Sequence, residues 1–366
     1  MGLDNIFSPT FGNRPQTIVG RDEAIHDFER GLEGRPGHPN RASFFIGQRG
    51  MGKTALLLEL ADRAKDKGFV VVRSADSAKM LEEIIEGIQV AGASLVKAKD
   101  KPLKSVSAGA LGFSIGLTFS DEVQKNYGFR TKLTLLIQKL AKHNKGVLFI
   151  IDEIQSNSPQ MRELALSYQY LVGEGADIAF AMAGLPGSIS AVLNDKVLTF
   201  LNRAHKTVLR ELPINDIVGY YCREFSRQGV AWTPALVDSA ATSTMGYPYL
   251  LQLVGYHIFE LLGDTKELTR NIVDMAVLNS RRELVANVFS PILKPLSVED
   301  RRFLDAMATD RGPSKISDIK ARLGATDSHI QTYRLRMIDA GVAVSPQRGS
   351  LDIVVPYLKQ HLRGEL

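Results

Sequence analysis

Short runs of consecutive apolar residues alternate along the chain with longer stretches in which apolar residues recur every three or four positions. ASFFIG (42–47), FVVVRSA (69–75), GVLFIID (146–152) and DIAFAMAG (177–184) read as strands buried on both faces, with HKTVLREL (205–212) as a fifth. Helical spacing lies between them in KTALLLELADRAKDKG (53–68), which closes on Gly68, and in KLTLLIQKLAKHN (132–144); another helix precedes the first strand over about 22–32. Apolar strands alternating with helices predict an α/β fold, a parallel sheet covered on both faces.

Elsewhere the pattern differs. Residues 1–17, with Ser8, Pro9, Gly12, Asn13 and Pro15, read as an extended lead-in. The stretch 100–120 alternates small and apolar residues and reads as a hairpin or extended insertion. From 213 onward only helical spacing remains, in 215–228, 233–245, 247–263 and a long helix over 267–289, and SPILKPLS (290–297) reads as a linker. Three short helices follow (298–308, 314–324, 327–341), then a hairpin over 342–356. The expected organisation is an αβα domain over 1–212, an all-helical lid over 213–292 and a winged helix-turn-helix over 293–366.

The 366 residues are 44% hydrophobic and 23% charged, a globular balance that excludes collagen-like and disordered chains. The formal charge of +5 is concentrated at the end: residues 281–366 carry 14 basic and 10 acidic side chains. Cys222 is the single cysteine, so no intrachain disulfide forms. MGLDNIFSPTFG lacks the regions of a signal peptide, and Ile6 stands where a myristoylation motif needs Ser or Thr. No uncharged apolar run approaches the ~20 residues of a spanning helix. The expected location is the cytoplasm, away from membranes.

Gly47-Gln48-Arg49-Gly50-Met51-Gly52-Lys53-Thr54 satisfies G-x-x-x-x-G-K-[ST] between an expected strand and an expected helix. Glycines let consecutive backbone N–H groups turn inward around phosphate oxygens, at a helix N-terminus that favours anions. In this reading Lys53 reaches the β- and γ-phosphates and Thr54 ligates Mg²⁺. The strand 147–151 ends in Asp152-Glu153, an acid for the Mg²⁺ shell and an acid that orients the attacking water. The expected cofactors are ATP and Mg²⁺. The seven histidines show no metal-ligand spacing, and no serine lies in a G-x-S-x-G elbow.

With these motifs the sequence resembles the AAA+ superfamily, in the branch of origin-recognition-type initiators and archaeal or bacterial ATPases that carry a winged helix. Ile18-Val19-Gly20-Arg21-Asp22 resembles the segment that lies against the adenine in that family. The resemblance implies nucleotide contacts for Val19, Gly20 and Arg21. It also implies that Arg203, in Leu201-Asn202-Arg203-Ala204, reaches the γ-phosphate of a neighbouring subunit, so that the chain self-associates. Gly246-Tyr247-Pro248-Tyr249 falls at the family's "GxPR" turn, with Tyr249 in place of the arginine that touches the γ-phosphate in cis. The fourth strand ends in Ala183-Gly184 rather than a polar sensor, and Lys53 to Asp152 spans an extra insertion. These departures favour binding with slow turnover.

In the C-terminal part, Ile330, Tyr333 and Met337 form a core stripe, leaving Ser328, His329, Thr332 and Arg336 on the opposite face. That face is the candidate DNA reader, with Arg348 at the wing tip in Gln347-Arg348-Gly349. The expected function is a nucleotide-controlled DNA-binding ATPase, initiator-like or associated with a mobile element. The alternative is a STAND-type signalling NTPase whose winged helix binds proteins.

Overall fold

The computed structural model describes residues 4–10, 14–97, 113–115, 117–263 and 265–366. α1 (Asp22–Glu33) leads through a short 3-10 turn to β1 (Ala42–Ile46), and α2 (Lys53–Asp66) connects to β2 (Val70–Ala75). After α3 (Met80–Lys97) come a small antiparallel hairpin, β3 (Phe113–Ile115) with β4 (Thr118–Phe119), then α4 (Asp121–Asn126), α5 (Phe129–Ala141) and β5 (Val147–Asp152). α6 (Pro159–Gly173), β6 (Ile178–Gly184), α7 (Pro186–Leu193) and β7 (His205–Val208) complete a five-stranded sheet. Its order is β2-β5-β6-β1-β7, and every pair is parallel. The apolar runs of the sequence are these five strands. Of the stretch 100–120, residues 100–112 and 116 lie outside the described residues, and the remainder holds the β3–β4 hairpin.

Successive side chains of the central strands enter opposite cores, as the pleat requires. Leu148, Ile150, Ala179, Ala181 and Ala183 face a core shared with α1 and α2. Val147, Phe149, Ile151, Phe180 and Met182 face the other, built with α3, α5 and α6. The alanines of β6 leave room for α2, which packs across β5 and β6. This packing brings the start of α2 beside the end of β5.

The helical region comprises α8 (Ile214–Arg227), α9 (Pro234–Ser243), α10 (Pro248–Leu262) and α11 (Arg270–Leu284). The expected linker 290–297 is corrected in its first half, because a π turn at Val285–Phe289 carries the helix on into α12 (Ser290–Leu293), and only 294–297 lack helix or strand. Pro291 offers no N–H to the preceding turn, and the wider turn accommodates it while the Ser290 hydroxyl bonds the Val285 carbonyl (3.1 Å). Burial of Phe289, Ile292 and Leu293 holds this segment down.

The described part of the N-terminal lead-in, residues 4–10 and 14–17, has no helix or strand, as expected, but it is packed down. Ile6 and Phe7 are buried among the lid helices. The Phe7 ring meets Tyr220 and Tyr221 edge-on at 5.8 and 5.7 Å, and Gly255 of α10 is bare where a Cβ would strike that ring. The Ser8 N–H donates to Gln252 Oε1 at 3.0 Å. The lid core therefore includes residues from the far end of the chain.

The C-terminal elements are α13 (Val298–Ala308), β8 (Ser314–Lys315), α14 (Ile316–Leu323), α15 (Asp327–Asp339), β9 (Ala343–Val344), β10 (Ser350–Ile353) and α16 (Leu358–Leu362). β10 pairs antiparallel with both β8 and β9. A capping box of Ser297 and Asp300 starts α13, and Thr326 caps α15. Ile330 and Met337 are buried and Tyr333 is half-buried. One apolar cluster runs unbroken from Phe28 and Leu56 through Tyr247, Leu250 and Phe289 to Phe303 and Met337. The end of α15 rests on α7, where Asp339 covers Gly187. No helix among the described residues is long and apolar enough to cross a membrane.

Truncating a buried aromatic costs about 3–5 kcal/mol, so Phe7→Ala is expected to lower unfolding stability by about that amount. Urea denaturation followed by circular dichroism checks it. An unchanged midpoint would mean that the lid core does not need the N-terminal segment.

Candidate nucleotide site

The loop between β1 and α2 owes its path to two glycines. Gly50 and Gly52 sit at φ +76° and +79°, a left-handed conformation that other residues adopt at a cost. Where the loop leaves β1 it is tied to both neighbouring strands: the Gly47 N–H donates to the Gly184 carbonyl at the end of β6 (3.3 Å), and the Leu209 N–H, just after β7, donates to the Ile46 carbonyl (2.7 Å). Met51 is buried in the core beneath, which pins the middle of the loop.

Lys53 opens α2 and turns its amine back onto the carbonyls of Gly47 (2.8 Å) and Gln48 (2.9 Å). Burial lowers its pKa to about 8, against the pull of Asp152 and Glu153 and with a small push from Arg49. Next to it, the Thr54 hydroxyl donates to Asp152 Oδ2 at 2.6 Å. The lysine, the hydroxyl and the acid pair come from two elements 98 residues apart and meet at one point. A partly desolvated cation beside a hydroxyl and two carboxylates suits a phosphate bound with a hard divalent ion. Thr54 and Asp152 would hold that ion, which would neutralise phosphate charge. A cleft of about 230 Å³ beside them is lined also by Arg73, Ser74, Ala75 and Ile150.

The segment 18–21 lies between this loop and the lid. Val19 packs on the lid core. Gly20, at φ +64°, passes so close to α8 that a Cβ would stand 3.1 Å from Leu212 and 3.2 Å from Asp216. The Arg21 guanidinium donates to the carbonyls of Arg210 (2.7 Å) and Met51 (3.4 Å). Burial holds its pKa below the ordinary value, and Glu211 opposes that.

The other expected site residues are distributed as follows. Arg49 is exposed at the loop's tip. The Gln48 side chain is buried and points out of the loop toward the C-terminal unit, where a Cβ at Gly341 would stand 2.7 Å from its Oε1. Tyr249, expected at the phosphates, instead receives a hydrogen bond from Asn287 (3.3 Å) and is half-buried. Tyr247 reaches the loop in its place: its hydroxyl donates to the Arg49 carbonyl, and its ring covers Gly50. Arg203 is exposed at the end of a 3-10 turn, and its side chain makes no hydrogen bond or ion pair among the described residues.

On α15, Ser328 and Thr332 are exposed, and Thr332 bonds back to the Ser328 carbonyl (3.0 Å). His329 is half-buried and stacks on Tyr333 at 4.5 Å, so it is not on the open face expected for it. Arg336 lies over the Tyr333 ring (5.2 Å) and pairs with Asp300 (3.6 Å). Arg348 is exposed in the turn between β9 and β10.

The lowered pKa of Lys53 has a thermodynamic sign. Below pH 8 the folded, ligand-free chain carries a charge that burial disfavours; the penalty shrinks as pH rises from about 8 toward the ordinary lysine value of 10.5. Lys53→Met is therefore expected to raise the melting temperature of the ligand-free protein at pH 7 by about 2 °C or more. The gain should fade toward pH 10. Differential scanning calorimetry across pH checks this, and a lower melting temperature at pH 7 would contradict it.

Residues 38–193 match a family model described as an AAA domain, and residues 286–362 match one described as a domain of unknown function. No curated protein sequence matches the chain. Among solved structures, the Walker-type ATPase of Pyrococcus abyssi is similar at a TM-score of 0.68 and 16% identity, covering 96% of this chain and 97% of that one. The ORC2 protein of Aeropyrum pernix, solved as ADPNP–ADP complexes, gives 0.65 at 15% identity, covering 98% and 95%. The Cdc6p protein of Pyrobaculum aerophilum gives 0.51 at 14% identity, covering 98% and 95%. Over nearly its whole length the chain thus has the α/β P-loop NTPase fold of these proteins, with an AAA-domain match across the loop and the acid pair.

Proposed function

We propose that the chain is an ATP-binding, slowly hydrolysing ATPase whose nucleotide state governs DNA binding by its C-terminal unit. The observation that carries this reading is the 2.6 Å contact between Thr54 Oγ1 and Asp152 Oδ2 beside the Lys53 amine. The loop amides and Lys53 bind the triphosphate, Thr54 and Asp152 hold Mg²⁺, and Glu153 orients the attacking water. Binding of ADP and an ATP analogue by the Aeropyrum protein of the same fold supports the choice of nucleotide. Slow turnover follows from the apolar end of β6 and from tyrosines, not arginine, at the 246–249 turn.

The proposed units are a nucleotide-binding domain over 1–212, a lid over 213–292 and a winged helix over 293–366. The order helix, strand, helix, helix and hairpin in the last supports the winged-helix assignment. DNA contacts come from Ser328, Thr332 and Arg348, and from Arg336 once it leaves Asp300. Arg203, exposed and unpaired among the described residues, is the contact to a second copy.

Lys53→Ala is expected to weaken ATP binding by about 10–100-fold, since it removes a charge-assisted bond. Glu153→Gln is expected to keep binding while cutting hydrolysis by about 10²-fold or more. Undiminished binding in the first or unchanged hydrolysis in the second would refute the site. In gel shifts against salt, Arg336→Ala/Arg348→Ala is expected to reduce the slope by about 2. Coincident curves would direct the C-terminal unit to protein partners. Sedimentation profiles that do not differ among ATP, ADP and no nucleotide would remove the role given to Arg203.

A further inference from the structure

Asp76 follows β2, half-buried beside the end of β5. Its Oδ2 accepts the Gln155 N–H at 2.9 Å, and its Oδ1 accepts the Ser158 hydroxyl. Ser158 in turn caps α6 by accepting the Met161 N–H (3.0 Å). The Asp76 N–H points at the Asp152 carbonyl (3.4 Å). One carboxylate therefore grips two points on the segment that follows the acid pair.

That segment is strained. Glu153 has φ +53° and Asn157 has φ +63°. A side chain in the left-handed region costs about 1–2 kcal/mol and persists where its surroundings over-determine it. For Glu153 the surroundings are known. Its N–H donates to Asp152 Oδ1 (2.9 Å), and its carbonyl accepts Gln155 Nε2 (3.0 Å). The next N–H, of Ile154, donates to the Ala183 carbonyl (3.0 Å). Gln155 thus holds Glu153 with its side chain while its own backbone is held by Asp76. A carboxylate suits this place because it accepts from both donors without presenting a donor of its own.

We propose that Asp76 is a positioning residue that holds Glu153 in its left-handed backbone and so fixes the direction of the Glu153 carboxylate relative to Thr54 and Asp152. The proposal rests on the reading of Glu153 as the residue that orients the attacking water. Asp76 itself touches neither nucleotide nor water in this assignment.

The test compares Asp76→Ala, Asp76→Asn and Glu153→Gln in the full chain. Asp76→Ala is expected to lower kcat for ATP by about 10–100-fold while nucleotide Kd stays within about threefold. Asp76→Asn keeps an acceptor for Gln155 and can donate to the Ser158 oxygen, so it should retain most of the rate. In the Glu153→Gln background, Asp76→Ala should cost nothing further, because the group it aims is gone. Hydrogen exchange supplies a readout independent of turnover: amides 153–158 should exchange faster in Asp76→Ala, with those of β5 unchanged. Full activity in Asp76→Ala beside a crippled Glu153→Gln overturns the proposal. So does a proportionate loss in nucleotide affinity, or unchanged exchange over 153–158. If Glu153→Gln is as active as the parent chain, the role of Glu153 fails, and exchange alone then decides whether Asp76 holds that segment.

Discussion

A hydroxyl at the first turn of α2 and a carboxylate at the last residue of β5 meet at 2.6 Å, and most of what surrounds them makes that meeting possible. β5 must run parallel between β2 and β6 so that its end emerges beside the loop after β1. α2 must lie close on the sheet, which the alanines of β6 permit, or Thr54 would stand away from Asp152. The loop must bend left-handed twice to bring Lys53 back over its own carbonyls. Packing of apolar surface supplies the energy for this, and the polar contacts supply its direction.

The same arrangement stores unfavourable terms that a ligand could relieve. A buried amine with only carbonyls to bond, a strained Glu153 and a Gln48 Oε1 without a hydrogen-bond partner among the described residues all lie within a few residues of one loop or its opposite acid. Sites of this kind trade stability for readiness, because groups arranged to meet a ligand's charge are not arranged for the best packing among themselves. Tyr247 adds a link from the lid to the Arg49 carbonyl.

Much of this was legible in the chain because it is local. The loop motif, the acid pair and the five apolar strands are each encoded within eight or fewer neighbouring positions, and they appear where their patterns lie. What escaped depends on partners distant in sequence. Phe7 carries too little periodicity to announce itself, and its place is made by a glycine 248 residues away at 255. Asp76 is one acid after a strand until β5 is laid beside it. The Tyr247 contact with the loop was also hidden for a geometric reason: α10 begins at Pro248, so position 249 already follows the helix while extended Tyr247 projects toward the loop. On α15 the spacing separated core from surface correctly at Ile330 and Met337, yet stacking drew His329 partly inward.

The apolar cluster that joins α2, the lid and α13–α15 without a gap bears on how far the parts of the molecule can travel. Stripping the cover from a large apolar side chain costs about 1.5–3 kcal/mol, so a hinge motion that exposed four of them would demand about 6–12 kcal/mol. That approaches the whole free energy of tight nucleotide binding. The nucleotide control proposed above would then work through small rearrangements within a closed body, along contacts such as Gln48 against Gly341.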